Sequence, residues 1–525
     1  MRRLQRHTAL LFWLLCAGLA ASALIARAAV AFGADDVLDW DETYYTSTTA
    51  TAAHGLGLYP YVLGYPPIPH MGGTGYVVFL YVLAYKLLGP HLWGLRLVAF
   101  LVSLVAVGGV GVLTRRLFGS AAGLAAFALT PSLLVFQLSN TIRFDVFAIA
   151  FVAWALVLYV RAADRETFGA HAIVGVVLAL GLQVHLHTAA VAFAIGLAYV
   201  ARTTDRFRQD RSTANLFRLP IVGYGAGYLF GLLLFLAINV APNPEGFFRT
   251  AALARLSAVD ASTDLNLTAP MDRSKLVETF LSPALMARKE AARYRSLVRE
   301  MSWWEALLWL GALPIFFVRR SMPPAVSGRT LVVGAVAGAG IVFNSASPLY
   351  ASAILPCFVP AAASLLTHGL SRQARIDRAH VPAGSLAVLL VLIVAIVPGA
   401  LSRTNAALAR ARQPVSPPPV VDVVRRAAST ECVLAGPADL YAKYFMAYPR
   451  FVGTRRTEVL IGSTYYNLQD NLVAYWQQKR PDIVFGAPDP ALRAYLTEAS
   501  YVAIADGVWR KPDRLSEKCV LRGYP

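Results

Sequence analysis

Along most of the chain, apolar residues come in blocks of about 17 to 23, the length at which a helix rising 1.5 Å per residue crosses about 30 Å of hydrocarbon. The first block, near Thr8–Phe32, follows Arg2, Arg3 and Arg6. Others lie near His91–Leu113, Ser120–Leu138, Val146–Val160, Ala170–Leu182, Thr188–Tyr199, Leu219–Val240, Trp303–Val318, Leu331–Phe343, Tyr350–Leu366 and Pro382–Leu401. Several are shorter than the rest, so their ends are loose. The pattern predicts a polytopic α-helical membrane protein with about eleven transmembrane helices.

The polar segments between blocks set the orientation. Arg115 and Arg116, Arg161 and Arg165, the Arg202–Arg218 segment, Arg319 and Arg320, and Arg372–Arg378 alternate with short loops poor in base. The positive-inside rule therefore puts them, with the N-terminus, in the cytoplasm. This alternation holds only if Gly73–Gly89 is not a full span, and that stretch is expected at the outer interface. The first block also admits a cleaved signal peptide, with Ala26-Arg27-Ala28 resembling a cleavage site, but its length favours a retained helix.

The pattern divides the chain into a transmembrane domain over 1–402, a Pro-rich linker over 403–419 and a small domain over 420–525. Outer loops are expected at 33–91 and, longer, at 241–301. In the tail, Cys432–Gly436, Asp482–Gly486 and Tyr501–Ala505 read as short buried strands separated by helical stretches. A small extracytoplasmic α/β domain follows, without a P-loop or a glycine fingerprint.

Composition agrees with lipid as the main solvent. Of the 525 residues, 57% are hydrophobic and only 15% charged, against about a quarter charged in soluble domains. The net charge of +18 is spread between apolar blocks and not along one stripe, so nucleic acid is excluded as a partner. Cys16 and Cys357 lie in apolar blocks and read as small buried hydrophobes. Cys432 and Cys519 bracket the tail domain, where a disulfide is open to them outside the cytoplasm.

The candidate chemistry gathers in two outer segments. After the first block come Asp35, Asp36, Asp39, Asp41 and Glu42, and up to His91 only Lys86 among Lys and Arg balances them. Acids alone fit a solvated linker. The second segment, Asn140-Thr-Ile-Arg-Phe-Asp145, ends directly before an apolar block. An ionisable pair such as Arg143 and Asp145 is costly at a membrane helix end unless it faces protein or water, which favours a functional site.

With these residues in order, the sequence resembles the glycosyltransferase family 39 group of the GT-C fold, which includes protein O-mannosyltransferases and lipid A aminoarabinose transferases. The resemblance covers roughly Arg6 to Arg202. It is carried by Asp41-Glu42-Thr-Tyr-Tyr, Gly64-Tyr-Pro-Pro, Leu88-Gly-Pro-His-Leu-Trp-Gly-Leu-Arg96-Leu, Arg115-Arg-Leu-Phe-Gly and Arg143-Phe-Asp145. It implies an inverting transferase that moves a monosaccharide from a polyprenyl-phosphate donor to an acceptor hydroxyl at the outer face of the plasma (inner) membrane. The acceptor would be an envelope lipid, glycan or protein. By this resemblance Asp41 matches the general base, Glu42 stands next to it, and Asp145 matches the second acid, which orients the acceptor or helps hold a cation.

Where many members carry a Lys before the Pro-Pro of the first loop, this sequence has Tyr65. Phosphate binding then falls to other bases, Arg143 and Arg96 first, with Arg249, Arg255, Lys289 and Arg293 of the long loop behind them. His70 and His187 are further outer-side candidates for a metal or the acceptor. A divalent cation stays open: carboxylates alone suit magnesium or manganese, and histidine admits zinc. The alternative function is a lipid or small-solute transporter or flippase. No matching halves are visible in the sequence, and the ionisable residues sit at one membrane face instead of the midplane.

Overall fold

The computed structural model describes residues 2–33, 40–57, 75–133, 142–185, 188–209, 220–241, 355–373, 397–412, 416–454, 472–486 and 490–512, together with isolated positions such as 136, 305 and 519. The expected blocks near Trp303–Val318 and Leu331–Phe343, most of that near Pro382–Leu401, and the long loop with its four bases lie outside the described residues.

The apolar blocks fold as helices. These are α1 (Arg2–Gly33), α2 (Trp40–Ala53), α3 (Gly75–Leu88), α4 (Leu92–Phe118) and α5 (Ser120–Leu129), then α6 (Asp145–Arg165), α7 (Phe168–Val184), α8 (Thr188–Gln209) and α9 (Pro220–Phe235), and finally α10 (Leu355–Gln373) and α11 (Val397–Ala411). Among the described residues, Trp13–Gly33, Leu92–Phe118, Asp145–Arg165 and Pro220–Ile238 are long and apolar enough to cross a membrane, and shorter apolar helices accompany them. Helix α6 is the most enclosed of the four spans, with 78% of its window buried. It packs between α4 on one side and α7 on the other. By contrast α3 has 14 residues, which reach only about 21 Å, less than the hydrocarbon thickness.

Small residues allow the helices to approach closely. A Cβ on Gly109 of α4 would come within 3.0 Å of Ala153 Cβ and Trp154 Nε1 of α6, and one on Gly111 would meet Gly123 O of α5 at 3.4 Å. Without a hydrophobic drive between helices in lipid, such backbone contacts supply the packing energy. The α4–α5 connection is a single residue, Gly119, whose φ of 93° is a conformation that L side chains rarely adopt. Helix α11 runs through Ala411, so the expected linker over 403–419 is helical in its first half, packed on α1 with Thr404 Oγ1 donating to Ser22 O at 3.3 Å.

The tail forms helix α12 (Pro419–Ala427) and a five-stranded sheet of order β2-β1-β3-β5-β4. Its strands are β1 (Leu434–Gly436), β2 (Phe451–Gly453), β3 (Ile483–Phe485), β4 (Val502–Ala505) and β5 (Val508–Arg510). The three predicted strand segments appear as β1, β3 and β4, while β2 and β5 were not anticipated. Strand β1 pairs parallel with β2 and β3, and β5 lies antiparallel between β3 and β4. Helices α13 (Leu472–Lys479) and α14 (Pro490–Glu498) pack beside it. A disulfide joins Cys432, just before β1, to Cys519, beyond β5, closing 87 residues of chain.

This tail is not a separate body. Val421, Val424, Tyr441, Phe445 and Phe451 share one buried cluster with Tyr44 and Ala50 of α2 and Tyr81 and Tyr85 of α3. Tyr85 Oη donates to Met446 O at 3.1 Å. Helices α2 and α3 are thus packed against the tail domain.

Candidate active site at one end of the helical bundle

Helix α2 begins with Trp40, Asp41 and Glu42. Acids in a first turn suit the positive end of the helix dipole. Glu42 is fully buried, and its two carboxylate oxygens accept from Arg96 Nε at 3.0 Å and Nη2 at 2.8 Å. Arg96 lies in the second turn of α4 at 1% exposure. Glu42 Oε1 also accepts from Ile142 N at 3.2 Å. The acid turn of α2 and the segment before α6 are therefore joined by a direct hydrogen bond.

Three residues further on, Asp145 opens α6, buried to 1% exposure. Its Oδ2 accepts from Arg143 Nε at 2.8 Å, while Oδ1 has no hydrogen-bond partner among the described residues. His185, the residue capping α7, brings Nε2 to 3.9 Å from Oδ1. Burial holds this imidazole below its usual pKa; the Asp145 charge opposes that shift and Arg143 adds to it. Around the pair, Tyr81 Oη donates to Arg143 O at 3.2 Å and Phe144 packs on Tyr45 with ring centroids 4.3 Å apart.

Of the residues singled out in the sequence, Glu42, Arg96, Arg143 and Asp145 meet at one end of the bundle. Asp41 is in the helical turn next to Glu42, and its side chain lies outside the described residues, as do His70 and His187. Arg96 has its guanidinium fork on Glu42. His185 and Tyr81 were not selected from the sequence. His185 leaves α7 at its C-terminal end, and that exit brings its ring toward Asp145. Tyr81 reads as one apolar residue among many in α3. Asp145 Oδ1 and His185 Nε2 are close enough to share one ion at bond lengths near 2.1 Å, but the described residues supply no third ligand there. The one described cluster of three donor groups is Cys432, Asp482 and Cys519, whose sulfurs are bonded to each other.

The opposite end of the bundle is basic. Arg115 and Arg116 lie about 30 Å along α4 from Arg96, and Arg202 pairs with Glu166 beyond the far end of α6.

A helical bundle whose acid-bearing helix turn packs against a C-terminal sheet is the architecture of the GT-C fold, shared with the solved structures that follow. Residues 76–238 match the dolichyl-phosphate-mannose-protein mannosyltransferase family. The fold is similar to that of ArnT from Cupriavidus metallidurans bound to undecaprenyl phosphate, with a TM-score of 0.55 at 15% identity, over 97% of this chain and 98% of that one. It is also similar to the Archaeoglobus fulgidus oligosaccharyltransferase tethered to an acceptor peptide containing the NVT sequon. There the TM-score is 0.53 at 12% identity, over 90% of this chain and 69% of that one. The same archaeal enzyme in complex with Zn and sulfate gives 0.51 at 14% identity, over 89% and 67%. No curated protein matches the chain by sequence.

Proposed function

We propose that this protein is an inverting membrane glycosyltransferase, which moves a monosaccharide from a polyprenyl-phosphate donor to an acceptor hydroxyl at the outer face of the plasma membrane. About eleven spans carry the site, with the C-terminal sheet on the same outer side. The observation that carries the reading is the Ile142 N to Glu42 Oε1 bond at 3.2 Å, which holds the two acid-bearing segments together at the bundle end opposite the basic loops. The undecaprenyl phosphate bound to the ArnT neighbour is the donor chemistry this reading extends to the present chain.

In this reaction Asp41 takes the proton from the acceptor hydroxyl, and the freed oxygen attacks the anomeric carbon from the face opposite the phosphate. The carbon–oxygen bond to phosphate breaks, its electron pair stays on the phosphate oxygen, and prenyl phosphate leaves. Glu42, fixed by Arg96, holds the start of α2 in place. Arg143 meets the growing phosphate charge, and Asp145 orients both Arg143 and the acceptor.

The test is transfer, or slow hydrolysis, of a polyprenyl-phosphate sugar by purified protein. Asp41→Asn is expected to lower turnover by about a hundredfold or more while the protein still purifies folded. Wild-type turnover in that variant removes Asp41 as the base. Lipid flux across liposomes without sugar transfer supports a flippase instead.

A further inference from the structure

The turn that carries Arg143 has little backbone structure of its own. Residues 142–144 form a bend outside any helix or strand, so its placement rests on side chains around it. Glu42 Oε1 of α2 accepts from Ile142 N at 3.2 Å, and Asp145 Oδ2 accepts from Arg143 Nε at 2.8 Å. The third hold is Tyr81 of α3, fully buried, whose Oη donates to Arg143 O at 3.2 Å. Its ring stacks on Phe144 with centroids 6.3 Å apart, and Tyr45 of α2 packs on the same Phe144 ring. Arg143 is therefore held at its carbonyl by α3 and at its guanidinium by α6.

The Tyr81 phenol is confined to donating. Burial, and after it the charges of Glu42 and Asp145, keep its pKa far above the ordinary tyrosine value. A phenol that keeps its proton can hold a carbonyl but cannot act as a base.

Helix α3 carries a second tyrosine, Tyr85, one turn and about 6 Å further along. Both lie on its buried face with Val77, Val78 and Ala84, while Phe79, Leu83 and Leu87 are exposed on the other side. Tyr85 Oη donates to Met446 O of the tail domain at 3.1 Å. A hydroxyl has one proton to give, so the 3.2 Å contact between Tyr85 Oη and His54 Nε2, just past α2, is a bond that His54 donates. One short helix thus bonds the tail domain through Tyr85 and the Arg143 turn through Tyr81.

We infer that Tyr81 is a positioning residue for sugar transfer, which sets the Arg143 carbonyl and, through α3, ties the placement of that arginine to the seating of the tail domain. This rests on the transferase reading, in which Arg143 meets the phosphate charge, and adds to it a residue of α3 that no motif marks.

The test uses the full chain in nanodiscs with a polyprenyl-phosphate sugar, and reads sugar release or transfer at steady state beside the melting temperature. Tyr81→Phe keeps the ring and removes one oxygen. Its kcat is expected to fall about tenfold with KM for the donor within about twofold, since a misplaced Arg143 fails the charge that grows during transfer. In an Arg143→Gln background the same change should move kcat by less than about twofold, because the group it positions is gone. Tyr85→Phe should lower kcat about threefold by itself and add no further loss to Tyr81→Phe. A lower melting temperature with wild-type kcat in Tyr81→Phe overturns the proposal, Tyr81 then being a packing residue only. A tenfold loss that persists without Arg143 overturns it as well, and so do losses from Tyr81→Phe and Tyr85→Phe that multiply independently. Wild-type protein that neither releases nor transfers sugar sinks the transferase reading and this inference with it, whereas wild-type turnover in Tyr81→Phe sinks only the role given to Tyr81.

Discussion

Glu42 and Arg96 are charged, at most 1% exposed, and bonded through both oxygens of the one and two nitrogens of the other. Such a pair gives little net stability over apolar residues of the same shape, but removing one partner strands the other charge. Glu42→Gln or Arg96→Met is therefore expected to cost about 3 to 5 kcal/mol in detergent unfolding, and the double variant Glu42→Leu with Arg96→Met markedly less than the sum. A second prediction concerns His185. Its folded pKa is depressed by burial, so between that value and about 6.5 the unfolded chain binds a proton that the folded chain does not. Stability contributed by the neutral imidazole is present above about pH 6.5 and is lost as pH falls below it. Melting temperature should thus drop from pH 7.5 to 5.5, and His185→Gln should flatten that slope. The acids at this site were legible because ionisable residues at the ends of apolar blocks stand out.

Among the elements, the sheet domain has five strands of three or four residues each, so local hydrogen bonding alone holds it weakly. The Cys432–Cys519 disulfide compensates by closing a loop with a sequence separation of 87, worth about 4 to 5 kcal/mol in the chain-entropy account. Cys519→Ser is expected to lower the unfolding temperature of the sheet while leaving the bundle helical, as read by circular dichroism and by hydrogen exchange in β1 and β3. Strands β1, β3 and β4 were visible as apolar runs between turn residues. Phe451–Gly453 and Val508–Arg510 were not, because three-residue strands carry too little periodicity, and their pairing partners make them strands. Helix α3, 14 residues long, falls in the stretch that charge alternation in later loops, and not its own residues, kept from being read as a full span.

At the scale of the whole molecule, the tail domain shares one core with α2 and α3. Tyr44, Ala50, Tyr81 and Tyr85 pack with Val421, Tyr441, Phe445 and Phe451. Ending the chain after Pro414 therefore uncovers the outer side of α2. The expected outcome is a bundle that still inserts, with faster hydrogen exchange in α2 and sugar transfer reduced by about tenfold or more, through misplacement of the acid turn. Unchanged exchange in α2 would show the shared core to be dispensable.

Block lengths, the placement of bases and the position of acids at helix mouths follow from the sequence alone, because each reflects a local cost of putting a polar or apolar group in lipid. That His185 approaches Asp145, that Arg96 serves Glu42, and that the tail packs on α2 were decided only by tertiary structure. Those outcomes depend on register and angle between elements far apart in the chain, and no local pattern encodes them.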